Sequence, residues 1–323
     1  MIELANKIQS GDRRAISKAL TLIESSKSDH RQYALKLLEM LQDDHLAVRL
    51  GVSGVPGVGK STFIESLGLQ LISEGKSVAV LSVDPSSAIT GGSILGDKTR
   101  MEMLSRSTSA YIRPSPAGGN LGGVARRTRE SIAILEAAEF DVIIVETVGV
   151  GQSETVVAGM TDLFLLLLLP GGGDELQGIK RGIMELADII VVNKADGERI
   201  PDANRAVSEY RLALSLMQRR IQEWETPVLT CSARDGTGIQ EVSSVIETYI
   251  DLVSTSGYLQ SLRASQRVLW FSQELDSALA QLLRENPELV KEREDLEKHV
   301  HDKNISPVSA SAQLITSFLN QRK

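Results

Sequence analysis

Gly51-Val52-Ser53-Gly54-Val55-Pro56-Gly57-Val58-Gly59-Lys60-Ser61-Thr62 is the stretch that decides the fold. Gly54 to Ser61 run G-x-x-x-x-G-K-S, the pattern of a phosphate-binding loop. Its glycines carry no Cβ, so backbone N–H groups at Gly54, Val55, Gly57, Val58 and Gly59 can wrap a phosphate chain, with Pro56, which has no N–H, shaping the turn. Lys60 would reach the β- and γ-phosphates and the Ser61 hydroxyl would ligate Mg²⁺, with Thr62 closing the nucleotide-binding stretch. Before the loop stands the strand-like Val48-Arg49-Leu50-Gly51-Val52; after it, Phe63, Ile64, Leu67, Leu71 and Ile72 recur at helical spacing. Strand, loop and helix follow in the order the motif requires, with the helix dipole facing the anion.

Outward from the loop the chain alternates short apolar runs with helical patterns. The runs are Leu50–Val52, Val78–Val83, Val142–Val145, Leu163–Leu169, Ile189–Val192 and Val228–Thr230. This predicts an α/β fold of the P-loop type, a mostly parallel sheet flanked by helices. Ligands then bind beyond the carboxyl ends of the strands. Residues 1–46 read as a helical extension: Leu4, Ile8, Ile16, Leu20 and Ile23 form one amphipathic pattern and Ala34, Leu37, Leu38 and Leu41 a second. Residues 47–254 form the nucleotide domain. Residues 255–323 read as an all-helical arm, broken at Asn286-Pro287 and restarted at Ser306-Pro307. The arm folds back or, with Trp270 and Phe271 exposed, forms a dimer.

Composition narrows the class. The 323 residues carry a net charge of -7 and 42% hydrophobic residues, which disfavours a nucleic-acid partner. A single cysteine, Cys231, excludes a disulfide framework and suits a reducing compartment. The most apolar run spans only residues 163–169, too short for a bilayer, and residues 1–14 carry no secretory pattern, so the expected location is cytoplasmic without membrane contact. The histidines, His30, His45, His299 and His301, show no metal-ligand spacing with the cysteine.

Further chemistry follows the strand-like runs. Asp84 ends the run Val78–Val83; it suits a magnesium site, or a turn-forming Asp-Pro. Asp97, in a glycine-flanked loop from Gly91 to Arg100, is a metal- or water-contacting residue or a helix cap. Glu146 and Gly149 stand at the spacing of the D-x-x-G metal loop, and Gln152 either orients the attacking water or faces solvent. Lys60, Asp97, Glu146 and Gln152 are thus the candidate catalytic groups, and Ser61, Asp84, Asp97 and Glu146 the candidate magnesium ligands. Asn193-Lys194-Ala195-Asp196 is the N-K-x-D pattern of guanine-specific nucleotidases. Asp196 accepts from the guanine N1–H and N2–H₂, Asn193 braces the phosphate loop, and the Lys194 stem covers the ring. Ser232, Ala233 and Arg234 form the loop that meets O6. The nucleotide expected is therefore GTP or GDP, with Mg²⁺.

Together the stretches GVPGVGKST (54–62), VDPSSAITGGSILGDKTRM (83–101), YIRPSP (111–116), NLGGVARRTRE (120–130), VIIVETVGVGQSE (142–154), GGGDELQGIKRGIMELAD (172–188) and NKAD (193–196) resemble the MeaB/ArgK family of GTPases. The likeness runs over roughly residues 10 to 270. The resemblance implies a homodimeric GTPase that chaperones an adenosylcobalamin-dependent acyl-CoA mutase, chiefly methylmalonyl-CoA mutase, gating cofactor loading and protecting the enzyme. It implies magnesium and catalytic roles for Asp84, Asp97 and Glu146, partner-contacting switches at 118–130 and 171–181, and dimerisation through the C-terminal helices. Two other classes share the phosphate loop: a GTP-dependent metallochaperone of a nickel enzyme, which should carry Cys/His ligands, and a P-loop kinase, which should bury an acceptor site.

Overall fold

The computed structural model describes the chain apart from residues 26, 42–45, 84–100, 115–120, 148–152, 172–180 and 321–323. It comprises two compact units, Met1–Gln266 and Arg267–Lys323.

The first unit is built on seven strands: β1 (Val48–Gly54), β2 (Val78–Val83), β3 (Ala110–Arg113), β4 (Val142–Thr147), β5 (Leu163–Leu168), β6 (Ile189–Val192) and β7 (Val228–Thr230). They lie in the order β3-β2-β4-β1-β5-β6-β7, and every pairing is parallel. Parallel sheets are covered on both faces, which is why the inner strands are apolar without alternation. On β5, Phe164, Leu166 and Leu168 enter one apolar cluster while Leu163, Leu165 and Leu167 enter the other. Each such leucine is worth roughly 1.5–3 kcal/mol of burial.

One face is covered by α1 (Ile2–Gln9), α2 (Arg13–Glu24) and α3 (Ser28–Met40), together with the helices Leu121–Ala137 and Ile200–Ser215. The other is covered by α4 (Lys60–Ser73) and the helix Ile239–Thr255. The single amphipathic pattern expected over residues 4–23 is two helices. Asp12 interrupts it, because its carboxylate accepts from Ala15 N–H at 2.7 Å and caps α2. The sequence also missed β3. Its four residues sit at the sheet edge, where β2 is the one strand they pair with among the described residues.

At the amino ends of the strands lies a buried ionic cluster. The Arg263 guanidinium donates to both Asp162 carboxylate oxygens, at 2.8 and 2.5 Å, and to Ala47 O at 2.6 Å. Arg49 makes a two-pronged pair with Glu136, both contacts at 2.8 Å. Arg49 N–H donates to Asp162 at 2.8 Å, tying the cluster to β1. Arg263 lies on the helix Tyr258–Glu285, which carries the chain from the first unit into the second.

The second unit holds the rest of that helix with the helices Pro287–His301 and Pro307–Asn320. Asn286 caps the former through Glu288 N–H at 2.9 Å, and Ser306 the latter through Ser309 N–H at 3.0 Å. Both caps stand at the Asn-Pro and Ser-Pro steps where the sequence breaks its helical pattern.

Candidate functional site

β1 ends at Gly54, whose Cα faces Leu167 of β5; a Cβ there would lie 2.5 Å from Leu167 O. Only glycine lets the chain leave the sheet at this point. The loop then turns back to start α4 at Lys60 with Gly59 in the left-handed region, φ +93°. A Cβ on Gly59 would meet Asn193 Nδ2 at 2.9 Å, so the loop and the N-K-x-D segment are in direct contact. Among the described residues no side chain caps α4, which leaves the N–H groups of its first turn to an anion.

Lys60 Nζ donates to the carbonyls of Gly54 (2.7 Å) and Val55 (3.3 Å), so the ammonium is held across the loop mouth. Burial pulls its pKa below the ordinary lysine value; the carboxylates of Glu146 and Glu154 oppose that shift. Ser61 Oγ stands 3.5 Å from Glu146 Oε1, and Glu146 is 4% exposed at the carboxyl end of β4. A hydroxyl and a carboxylate beside a phosphate loop are the oxygen donors that magnesium takes, so these residues fit that ion. Beside them, Thr147 Oγ1 donates to Ser53 Oγ at 2.8 Å and closes β4 on β1. Asp84, Asp97 and Gln152 lie outside the described residues, as do the loops 91–100 and 172–180.

The second half is assembled at the carboxyl ends of β6 and β7. Asn193 is 1% exposed and spans the two halves. Its Nδ2 donates to Val58 O at 2.9 Å, and its Oδ1 accepts from Ala233 N–H at 3.0 Å and from the Cys231 thiol at 3.4 Å. Lys194 adopts a positive φ of 61° and its Nζ donates to Gly57 O at 2.6 Å. A non-glycine residue held there carries strain of order 1–3 kcal/mol, the sort of cost met at ligand sites. Asp196 Oδ2 accepts from Ser232 Oγ at 2.9 Å, which holds the carboxylate in one direction. The Arg234 side chain is 86% exposed.

Of the residues singled out from the sequence, 54–62, Glu146, Asn193, Lys194, Asp196 and 232–234 are therefore brought to one edge of the sheet. Two contributors had no sequence signal. Cys231 opens the Cys231-Ser232-Ala233 stretch, but its thiol's contact with Asn193 has no signature in the sequence, and Ser66, on α4, donates to Ala233 O at 2.6 Å. Their partners lie too far along the chain for spacing to reveal them.

A family model described as "Methylmalonyl Co-A mutase-associated GTPase MeaB" matches residues 16–288. A probable GTPase of Mycobacterium tuberculosis is 50% identical over 313 residues, covering 97% of this chain and 93% of its own. The mouse methylmalonic aciduria type A homolog, mitochondrial, is 43% identical over 319 residues, covering 95% of this chain and 77% of its own. Among solved structures, a LAO/AO transport system kinase is 37% identical with a TM-score of 0.76, covering 99% of this chain and 97% of that one.

Proposed function

The chain belongs to the MeaB family of methylmalonyl-CoA mutase-associated GTPases, and from that membership we propose that it is a magnesium-dependent GTPase that chaperones an adenosylcobalamin-dependent mutase. In this reading GTP binding and hydrolysis gate cofactor loading and protect the mutase, which is methylmalonyl-CoA mutase or a related acyl-CoA mutase. The observation that carries the nucleotide part is the double link between the two halves of the site: Asn193 to Val58 O at 2.9 Å and Lys194 to Gly57 O at 2.6 Å. A segment that reads guanine is thereby locked to a loop that holds phosphate. The mutase part rests on the family's name and on the relative named for methylmalonic aciduria.

Residues 54–62 wrap the phosphates, and Lys60 exchanges its loop carbonyls for the β- and γ-oxygens. Ser61 and Glu146, with Asp84 and Asp97, would hold Mg²⁺, which would supply positive charge to the phosphates. Asp97 and Gln152 complete the catalytic set by orienting the attacking water. Asp196 accepts from guanine N1–H and N2–H₂, and residues 232–234 close on O6. The segments 118–130 and 171–181 report nucleotide state to the mutase. Functionally the chain divides into a helical extension (1–46), a GTPase domain (47–254) and an arm (255–323).

The arm makes a homodimer in this reading. Val268, Phe271, Leu275, Leu279 and Leu282 recur at three- and four-residue intervals on one helix and are 47–67% exposed. Such a stripe suits a second copy of the same helix. Phe271→Glu should give monomers by light scattering; a dimer that survives removes the arm from the interface. Among the described residues no helix is long and apolar enough to cross a membrane, and a cytoplasmic location completes the proposal.

Phosphate release from GTP, with and without purified methylmalonyl-CoA mutase, tests the whole. Turnover raised by the mutase supports the reading. Unchanged turnover and no complex on gel filtration would sink the mutase assignment. Transfer of the γ-phosphate to a protein or metabolite would favour a kinase, the activity for which the solved relative is named.

A further inference from the structure

Helical serines and threonines usually turn their hydroxyl back to the carbonyl one turn earlier. Many in this chain do: Thr128 donates to Val124 O at 2.9 Å, Ser131 to Arg127 O at 2.8 Å and Thr248 to Ser244 O at 2.9 Å, whereas Ser243 turns to the Glu74 carboxylate and Ser317 to Glu292. Ser66, in the middle of α4, does not turn back either. Its hydroxyl crosses to Ala233 O at 2.6 Å, shorter than those three carbonyl contacts.

The acceptor's position gives the contact its meaning. Ala233 O and Arg234 N–H belong to one peptide unit, and a trans peptide holds its C=O and N–H in opposite directions. Fixing the carbonyl from α4 therefore aims the Arg234 N–H away from α4. The preceding donor, Ala233 N–H, is already committed to Asn193 Oδ1 at 3.0 Å. The Arg234 N–H has no acceptor among the described residues. One donor in the base loop is thus directed and left open, while its neighbour is consumed internally.

We propose that Ser66 is a positioning residue for 6-oxopurine selection, aiming the Arg234 N–H at the O6 of the base from the same helix that begins at Lys60. An oxo group accepts from that N–H; the 6-amino group of adenine would face it donor to donor. The inference rests on the guanine reading above and adds to it the residue that orients the O6 donor.

The test compares the wild type, Ser66→Ala and Ser66→Thr in calorimetric titrations. The ligands are GTP, ITP, ATP and the triphosphate of 2-aminopurine riboside, each with magnesium. ITP keeps O6 and N1–H but lacks the 2-amino group; the 2-aminopurine nucleotide keeps the amino group and lacks O6. Alanine is the better helix former, so Ser66→Ala should fold, and its melting temperature checks this. Losing one hydrogen bond's orientation should weaken GTP and ITP roughly three- to tenfold. The 2-aminopurine nucleotide should bind Ser66→Ala as it binds the wild type, and Ser66→Thr should restore GTP affinity. Equal weakening of every nucleotide, or none, overturns the proposal while leaving the guanine reading intact. A wild-type protein that does not prefer GTP to ATP overturns the guanine reading itself, and this proposal with it.

Discussion

Arg263→Ala should destabilise the first unit heavily. The guanidinium contacts both Asp162 oxygens and Ala47 O, and the two charged side chains are only 5% and 0% exposed. After truncation Asp162 keeps the Arg49 N–H at 2.8 Å but loses its counter-ion, and the Ala47 carbonyl loses its donor. Breaking one partner out of a buried pair costs about 3–5 kcal/mol, because the remaining charge stays desolvated. Against a typical total of about 5–15 kcal/mol, that is a large fraction. In a unit of this size it corresponds to a melting-temperature drop of roughly 6–20 °C. Urea titration followed by Trp224 fluorescence, in a Trp270→Phe background, confines the signal to the first unit. The double variant Arg263→Met/Asp162→Leu should recover most of the loss, since it removes both charges. A single variant losing less than about 1 kcal/mol, the value of an exposed pair, would refute the burial argument.

Three further outcomes are expected. Lys60→Ala should abolish phosphate release from GTP, because the phosphates lose their cation; turnover at the wild-type rate would remove the lysine from the chemistry. Asp196→Asn should lower the GTP/ATP preference by roughly ten- to a hundredfold, the value of one or two mispaired buried polar groups; an unchanged ratio would show that the base is read elsewhere. Burial raises the Asp188 carboxyl to about 6, with Arg220 and the Phe164 N–H opposing the shift. The folded state therefore takes up its proton before the unfolded chain does. The linked stabilisation should be complete below about pH 4 and be lost as pH rises through about 6. Asp188→Asn should flatten that slope in pH-dependent melting, and a slope that persists would assign it to other groups.

The physical causes of legibility differ along the chain. β2 and β6 were readable to the residue because both of their faces are buried, so the apolar run and the strand coincide, while β7, a partly buried edge strand, was legible from its own Val-Leu-Thr run. β3 was not, because an edge strand of Ala-Tyr-Ile-Arg is specified by its neighbour rather than by its own pattern. The break between α1 and α2 is set by one capping carboxylate, which a count of apolar spacings passes over. At the site, the loop residues and the N-K-x-D segment were legible because their roles depend on local backbone shape. The ties among them were not. Ser66 to Ala233, Cys231 to Asn193 and Arg263 to Asp162 join positions far apart in sequence, and only the assembled sheet brings them together.

Cys231 has a practical consequence for labelling. Its thiol is 1% exposed, and burial pushes its pKa up to about 12. Maleimides and iodoacetamides attack the thiolate, so the native chain should resist both at neutral pH. A cysteine introduced on an outer helix face would then be the sole reactive sulfur. Fluorophores or spin probes could be attached there without first deleting a residue that contacts Asn193.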